Sequence, residues 1–293
     1  MKRETETSSF GVSKRENHNA EKFYTSNLYK GISLTEIEDK SINDVPENAV
    51  NKIHLHSSEI MSELPDNSVH LMITSPPYNV TKEYDQNLTL ADYLALIERV
   101  MKETYRVLVN GGRACINIAN VGRKPYLPLS EYITEIMTQI GFNNRGQIIW
   151  NKAASAGGSC AWGSWMSASN PTLRDIHEYI LIFSKGDMVR KKGIDTINRN
   201  DFMEWTKSIW IMNTERAKRV NHPAPFPEEL PHRLINLYSF QNDVILDPFM
   251  GSGTTAVAAI KNKRCFVGYE ISSFIKSRQL IIHHIRFSNS SFH

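Results

Sequence analysis

The chain has 293 residues, with 34 Lys and Arg against 31 Asp and Glu, a formal net charge of +3, 41% hydrophobic and 22% charged residues. This balance excludes global disorder, and a chain of this length can bury one large core without disulfides or metals. No apolar run approaches the roughly 18–20 residues of a membrane span, and the first residues, Met1-Lys2-Arg3-Glu4-Thr5-Glu6, lack the apolar stretch of a signal peptide, so a cytoplasmic protein is expected.

Residues 1–48 are polar, with scattered aromatics and no sustained period, and read as an extension without chemistry. From there strands and helices alternate. A short apolar strand over 68–74 runs into a Pro-Pro loop, and a helical period covers 88–108, terminated by Asn110-Gly111-Gly112. A strand over 113–118, a helix over 130–140 stopped by Gly141 and a strand over 146–150 follow. The stretch 152–217 breaks the rhythm. It mixes Trp162, Trp165, Trp205 and Trp210 with Arg174 and Arg190-Lys191-Lys192, and only 178–183 reads as a clear strand. Such an insert suits nucleic-acid contact or a loop-rich cap, and Arg174 beside Asp175 reads equally as an anchor for DNA or as half of an internal ion pair. Regular structure resumes with a helix after Pro227, a strand over 243–246, a helix from about Thr254, a strand over 265–269 and a last helix near Ser272. Alternation of this kind predicts a mostly parallel α/β sheet. Cys115, Cys160 and Cys265 are odd in number and far apart, and read as buried thiols in a reducing compartment.

Two motifs carry chemistry. In Val244-Ile245-Leu246-Asp247-Pro248-Phe249-Met250-Gly251-Ser252-Gly253-Thr254-Thr255 a strand feeds a glycine turn and a helix N-terminus, and Glu270 closes the next strand, where a carboxylate can accept both hydroxyls of a ribose. Gly251-x-Gly253-x-x-Ala256 also fits a dinucleotide fingerprint, which makes an NAD-dependent oxidoreductase the alternative of another class. Asp247 opposes that alternative. A carboxylate at the mouth of the turn repels a pyrophosphate but suits the ammonium of S-adenosylmethionine, directly or through water.

The second motif, Thr74-Ser75-Pro76-Pro77-Tyr78-Asn79, stands where an apolar strand ends. Two prolines fix φ and supply no N–H, so the loop is rigid and presents carbonyls in set directions. An exocyclic amine of a base is a poor nucleophile because its lone pair is delocalised into the ring. Accepting its protons at the Ser75 side chain and the Pro76 carbonyl turns that lone pair toward an incoming methyl group, and Tyr78 can stack on the base.

At these residues the sequence resembles the amino-methyltransferases of DNA, whose motif is Asp/Asn/Ser-Pro-Pro-Tyr/Phe. Serine in the first place resembles the N4-cytosine enzymes, with N6-adenine as the alternative. The catalytic motif precedes the Asp247 motif, an order similar to the permuted β group, and Asn221-His222-Pro223-Ala224-Pro225-Phe226-Pro227-Glu228-Glu229-Leu230 matches that group's cofactor motif. The resemblance implies a Rossmann-like methyltransferase fold, with a seven-stranded sheet whose last strand is antiparallel. It divides the chain into a catalytic half (49–151), a target-recognition insert (152–217) and a cofactor-binding half (218–293). Carried over position by position, it assigns catalysis to Ser75, Pro76, Pro77 and Tyr78. It assigns S-adenosylmethionine to Asp247, Pro248, Phe249, Gly251, Ser252, Gly253, Thr254 and Glu270, with Pro223, Phe226 and Pro227. The implied partners are double-stranded DNA, with the target base flipped out, and a restriction endonuclease acting on the same site. Where the related enzymes often carry Gly-Asp, this chain reads His56-Ser57, so another group must replace that carboxylate; Ser57 and Ser58 are weak candidates.

Other chemistries fit less well. A C5-cytosine enzyme needs a nucleophilic cysteine, and no Pro-Cys pair occurs. A protein-glutamine methyltransferase has its glycine motif first, and RNA as the polymer is not distinguished from DNA by these motifs. No metal is expected: His177-Glu178-Tyr179 lacks the second histidine of a zinc protease, and the other histidines show no ligand spacing.

Overall fold

The computed structural model describes residues 5–6, 18–19, 24–78, 88–152, 161–190, 193–214 and 226–271. The chain divides into two compact units, 1–35 and 36–293. In the first, Thr5–Glu6 pairs in parallel with His18–Asn19, and the rings of Tyr24 and Tyr29 meet edge to face at 5.1 Å. The expected extension to residue 48 therefore ends earlier. Residues 36–48 belong to the second unit, where the Asn43 N–H donates to Asn67 O (2.9 Å), Asn67 Nδ2 donates to Asp39 (2.8 Å) and Lys40 pairs with Asp187 (3.0 Å). Polar side chains dock this segment, and a hydrophobic period does not register polar docking.

Among the described residues the second unit is built on one eight-stranded sheet: β1 (Lys52–His54), β2 (Val69–Thr74), β3 (Leu108–Ile118), β4 (Asn143–Asn151), β5 (His177–Ser184), β6 (Ile209–Ile211), β7 (Val244–Asp247) and β8 (Cys265–Tyr269). Their order is β6-β4-β5-β3-β2-β7-β8-β1, and every pairing is parallel except those of β5 with β3 and β4. The mostly parallel α/β architecture is as expected, with two corrections of detail. The eighth strand is the three-residue edge strand β6, too short to show a period. The antiparallel strand is the interior β5 and not the last in the chain: the segment after β4 returns the chain from the same edge it left, so β5 runs back.

Helices α1 (Leu90–Val107), α2 (Leu129–Ile140), α3 (Arg199–Trp205), α4 (Glu229–Tyr238) and α5 (Thr254–Lys261) accompany the sheet among the described residues. In α1 the Thr89 side chain caps the Asp92 N–H, and Tyr93, Ile97, Val100, Met101 and Thr104 are buried at helical spacing. The predicted stop at Asn110-Gly111-Gly112 lies elsewhere: α1 ends at Val107, and the glycines lie inside β3, where the register shifts from Val69 opposite Leu108 to Leu71 opposite Arg113. Gly111 has φ +75°, which lets the strand kink there.

Strand side chains alternate between two cores. Ala114, Ile116, Leu181, Phe183, Leu246 and Val267 face α1 and α2, while Leu71, Ile73, Cys115, Ile180, Ile182 and Ile245 face α4 and α5. Cys115 is fully buried and burial pushes its thiol up; Cys265 is half-buried, and Cys160 lies outside the described residues. Among the described residues no helix is long and apolar enough to cross a membrane. The last helix expected near Ser272 also lies outside them.

Candidate active site and cofactor turn

The two motifs leave neighbouring parallel strands at the same edge of the sheet. β2 pairs with β7 through Leu71 opposite Ile245 and Met72 opposite Leu246, so Thr74 and Asp247 end their strands side by side. Beyond β2 the chain moves to β3, and beyond β7 to β8 on the opposite side. The crevice between them is thus the topological switch point, where open α/β sheets bind ligands. Thr74 Oγ1 donates to Asp247 Oδ1 at 2.7 Å and ties the two loops together.

Asp247 lies deeper than the sequence suggests. It is 1% exposed, and its oxygens take hydrogen bonds from Thr74, Thr255 Oγ1 (2.6 Å) and the Phe249 N–H (3.1 Å). Burial outweighs these bonds and raises its carboxyl to about 6. It is thus enclosed by the residues of the two loops and does not stand open at the mouth of the turn. Above it, Gly251 and Gly253 adopt positive φ (+50° and +81°), and Gly253 caps α5 in the left-handed conformation. Glu270 is half-buried at the end of β8, and its Oε2 accepts the Gly251 N–H at 2.9 Å. Pro248 is buried, and its carbonyl accepts from the buried Ser58 hydroxyl at 2.8 Å, which makes Ser58 a support of the loop; Ser57 instead donates to Glu59. Ser252 and Thr254 hydroxyls meet at 3.0 Å. Phe249 packs against the α1–α2 core, as does Tyr78, while Phe226 packs in the cluster that holds Met250 and Ala256 under the turn. Pro227 is buried at the start of α4; Pro223 and Asn79 lie outside the described residues.

The Ser75-Pro76-Pro77-Tyr78 loop is held by residues that sequence reading did not assign. Ser75 Oγ lies 3.2 Å from the Tyr78 hydroxyl, which donates to Glu178 Oε2 at 3.0 Å. Asn117 Nδ2 donates to the same Glu178 oxygen (2.6 Å) and to the Tyr78 hydroxyl (3.2 Å), and Lys152 Nζ reaches Glu178 Oε1 at 2.5 Å. Burial and the neighbouring Glu178 carboxylate keep Tyr78 a neutral phenol, well above the usual tyrosine range. Asn117 is 3% exposed, and its Oδ1 has no hydrogen-bond partner among the described residues. The available signal was a polar residue beside an apolar run in each of two strands, Asn117 between Ile116 and Ile118 in β3 and Glu178 ahead of Tyr179–Phe183 in β5.

A family model described as DNA methylase, of N6 and N4 type, matches residues 69–281, from β2 to beyond β8. The chain belongs to this DNA methylase family. Among its relatives is the Type II methyltransferase M.MjaI of Methanocaldococcus jannaschii, 32% identical over 268 residues, which span 77% of this chain and 88% of that protein. M.MthZI of Methanothermobacter thermautotrophicus is 32% identical over 266 residues, 77% of this chain and 74% of that protein. The structure is similar to that of TTHA0409, a proposed DNA modification methylase of Thermus thermophilus solved with S-adenosyl-L-methionine, at a TM-score of 0.64 and 30% identity over 80% of this chain and 94% of that one. It shares its fold with the cytosine-N4-specific PvuII DNA methyltransferase (TM-score 0.61, 18% identity, 80% and 85% covered).

In this DNA methylase the insert divides its aromatics: Trp210 is buried in the α4–α5 core with Trp205 packed against it, whereas Trp162 and Trp165 stand at the surface. Trp165, Met166 and Leu173 are 64%, 89% and 83% exposed, the Trp162 and Trp165 rings meet at 5.1 Å, and the Arg174 guanidinium lies 3.8 Å from the Trp162 ring centre. Asp175 pairs with Arg123 (2.5 Å), not with Arg174, and this joins the insert to the Val121–Gly122 and Tyr126–Leu127 hairpin. Two residues beyond Asp175, β5 begins with His177-Glu178, so the insert leads into the strand whose Glu178 holds Tyr78. It also contains α3 and β6, beyond the one strand expected.

Proposed function

We propose that this DNA methylase transfers the methyl group of S-adenosylmethionine to the exocyclic N4 amine of a cytosine flipped out of double-stranded DNA. The observation that carries this reading is the 2.7 Å bond between Thr74 and Asp247, which sets the Ser-Pro-Pro-Tyr loop against the glycine turn. The cofactor residues suit a nucleoside bearing an ammonium: two glycines in positive φ allow close backbone approach, Glu270 stands at the turn to accept ribose hydroxyls, and the buried Asp247 disfavours a pyrophosphate. The cofactor supplies a methyl group on a sulfonium, which an amine can attack directly.

The chain's part is to aim the amine. Glu178 accepts the Tyr78 proton, Tyr78 oxygen accepts from Ser75, and a Ser75 lone pair is left to accept a proton of the amine beside the Pro76 carbonyl. Asn117 Oδ1, which has no partner among the described residues, is a further acceptor within this site. Tyr78 and the exposed aromatic insert offer stacking surfaces to a flipped base and its strand. Serine in the first motif position supports cytosine over adenine. The Type II names of the relatives support a restriction-modification setting with an endonuclease of the same specificity.

The test is to incubate the protein with methyl-labelled S-adenosylmethionine and mixed genomic DNA and to identify the labelled nucleoside by mass spectrometry. N4-methylcytosine is expected. N6-methyladenine would keep the mechanism and overturn the choice of base, and label confined to RNA or protein would overturn the choice of polymer.

A further inference from the structure

On the far side of Glu270 from the catalytic loop, three donors converge. His54 ends β1, His56 follows two residues on, and Glu63 comes from the next turn; His54 Nδ1, His56 Nε2 and a Glu63 oxygen lie within 4.8 Å of one another. The bend at residues 55–56, just past the end of β1, brings the two imidazole rings to 6.0 Å of each other. The sequence carries this His-x-His pair, but only the fold adds the carboxylate.

The outer atoms of the cluster are already committed. His54 Nε2 faces the Ala49 carbonyl at 3.4 Å and His56 Nδ1 faces the Ser57 carbonyl at 3.0 Å. A carbonyl only accepts, so the outer nitrogens carry protons, and a second proton on His56 Nε2 makes its 2.7 Å hydrogen bond to Glu63; without that proton the inward nitrogens present lone pairs. Glu63 Oε2 takes the Tyr269 hydroxyl at 3.2 Å, and the Tyr269 ring stacks on His54 at 5.2 Å. Glu63 Oε1 is thereby left inward, 2.7 Å from His56 Nε2 and 3.8 Å from His54 Nδ1. Two imidazole nitrogens and a carboxylate oxygen converging on one point suit a cation in place of the proton shared by His56 and Glu63, and backbone carbonyls in the outer shell are a usual means of orienting metal-ligating histidines.

We infer that His54, His56 and Glu63 form a binding site for one divalent transition-metal ion of the zinc class. Donors on a tetrahedral zinc at about 2.1 Å stand about 3.4 Å apart, which the observed separations reach by small side-chain rotations. His56 and Glu63 side chains are 42% and 29% exposed, which leaves room for water as a fourth ligand. The ion would act as a staple. The Glu270 N–H donates to His54 O at 3.0 Å, so fixing His54 fixes the strand end that carries Glu270.

Binding is independent of the methyl-transfer reading and is tested apart from it. The full-length protein, stripped with EDTA, is titrated calorimetrically with zinc chloride: one equivalent is expected for the wild type and none for His56→Ala or Glu63→Gln. Peptide mapping after diethyl pyrocarbonate treatment of the wild type alone gives a second reading that needs no variant. Zinc should shield His54 and His56 and leave the labelling of His70 and His232 unchanged. Absence of binding, equal binding by the variants, or no selective shielding would overturn the site and leave a His56–Glu63 pair joined by a proton.

Discussion

The hydroxyl of Tyr78 donates to Glu178 across 3.0 Å, joining the Ser-Pro-Pro-Tyr loop to a strand one hundred residues further along the chain. Because Glu178 also receives Asn117 and Lys152, it fixes the direction in which hydrogen bonds run through Tyr78 to Ser75. Glu178→Gln keeps the shape but removes the charge that holds these donors. Hydrogen bonds to charged groups contribute roughly 1.5–3 kcal/mol, so kcat should fall about 10- to 100-fold while the Kd for S-adenosylmethionine stays unchanged. Steady-state kinetics and cofactor titration check this; an equal loss of cofactor affinity would reduce Glu178 to a structural part of the fold.

Tyr78→Phe should retain the stacking face and lose the link to Glu178, whereas Tyr78→Ala loses both. Stacking on an aromatic contributes roughly 1–3 kcal/mol per base, so the alanine variant should bind cognate DNA more weakly than the phenylalanine variant by that amount. With 2-aminopurine at the target position, fluorescence should rise on binding to the wild type and rise less with Tyr78→Ala. No rise with the wild type would count against base flipping.

Asp247 gives the stability a pH dependence. Its folded value, about 6, lies above the ordinary 3.8, so its contribution is fully present below about pH 4 and is lost as pH rises through 6. Asp247→Asn can keep the bonds to Thr74, Thr255 and Phe249 without that titration. Relative to the variant, the wild type should lose up to about 3 kcal/mol between roughly pH 4 and pH 8. Paired thermal melts across this range measure the difference; parallel curves would refute it.

Gly253 holds φ +81° at the first turn of α5. A side chain there costs roughly 1–2 kcal/mol. Gly253→Ala should therefore lower Tm by a few degrees and weaken cofactor binding by more than the stability loss explains, because the turn itself moves. Unchanged cofactor affinity would show that the turn tolerates the methyl group.

The sequence by itself determined the α/β alternation, the two motifs and their order. Local signals suffice for these: a strand of Val-Ile-Leu before a glycine turn and a Pro-Pro pair that fixes φ are properties of contiguous residues. Tertiary structure decided what depends on distant partners. Only the adjacency of β2 and β7 brings Thr74 to Asp247 and buries that carboxylate, and only the reversed course of β5 delivers Glu178 to Tyr78. Asn110-Gly111-Gly112 read as a helix stop because a kinked strand and a helix end demand the same backbone freedom. Glu63 meets His54 and His56 through a turn that no periodicity marks, so a ligand set was legible only once the chain had folded.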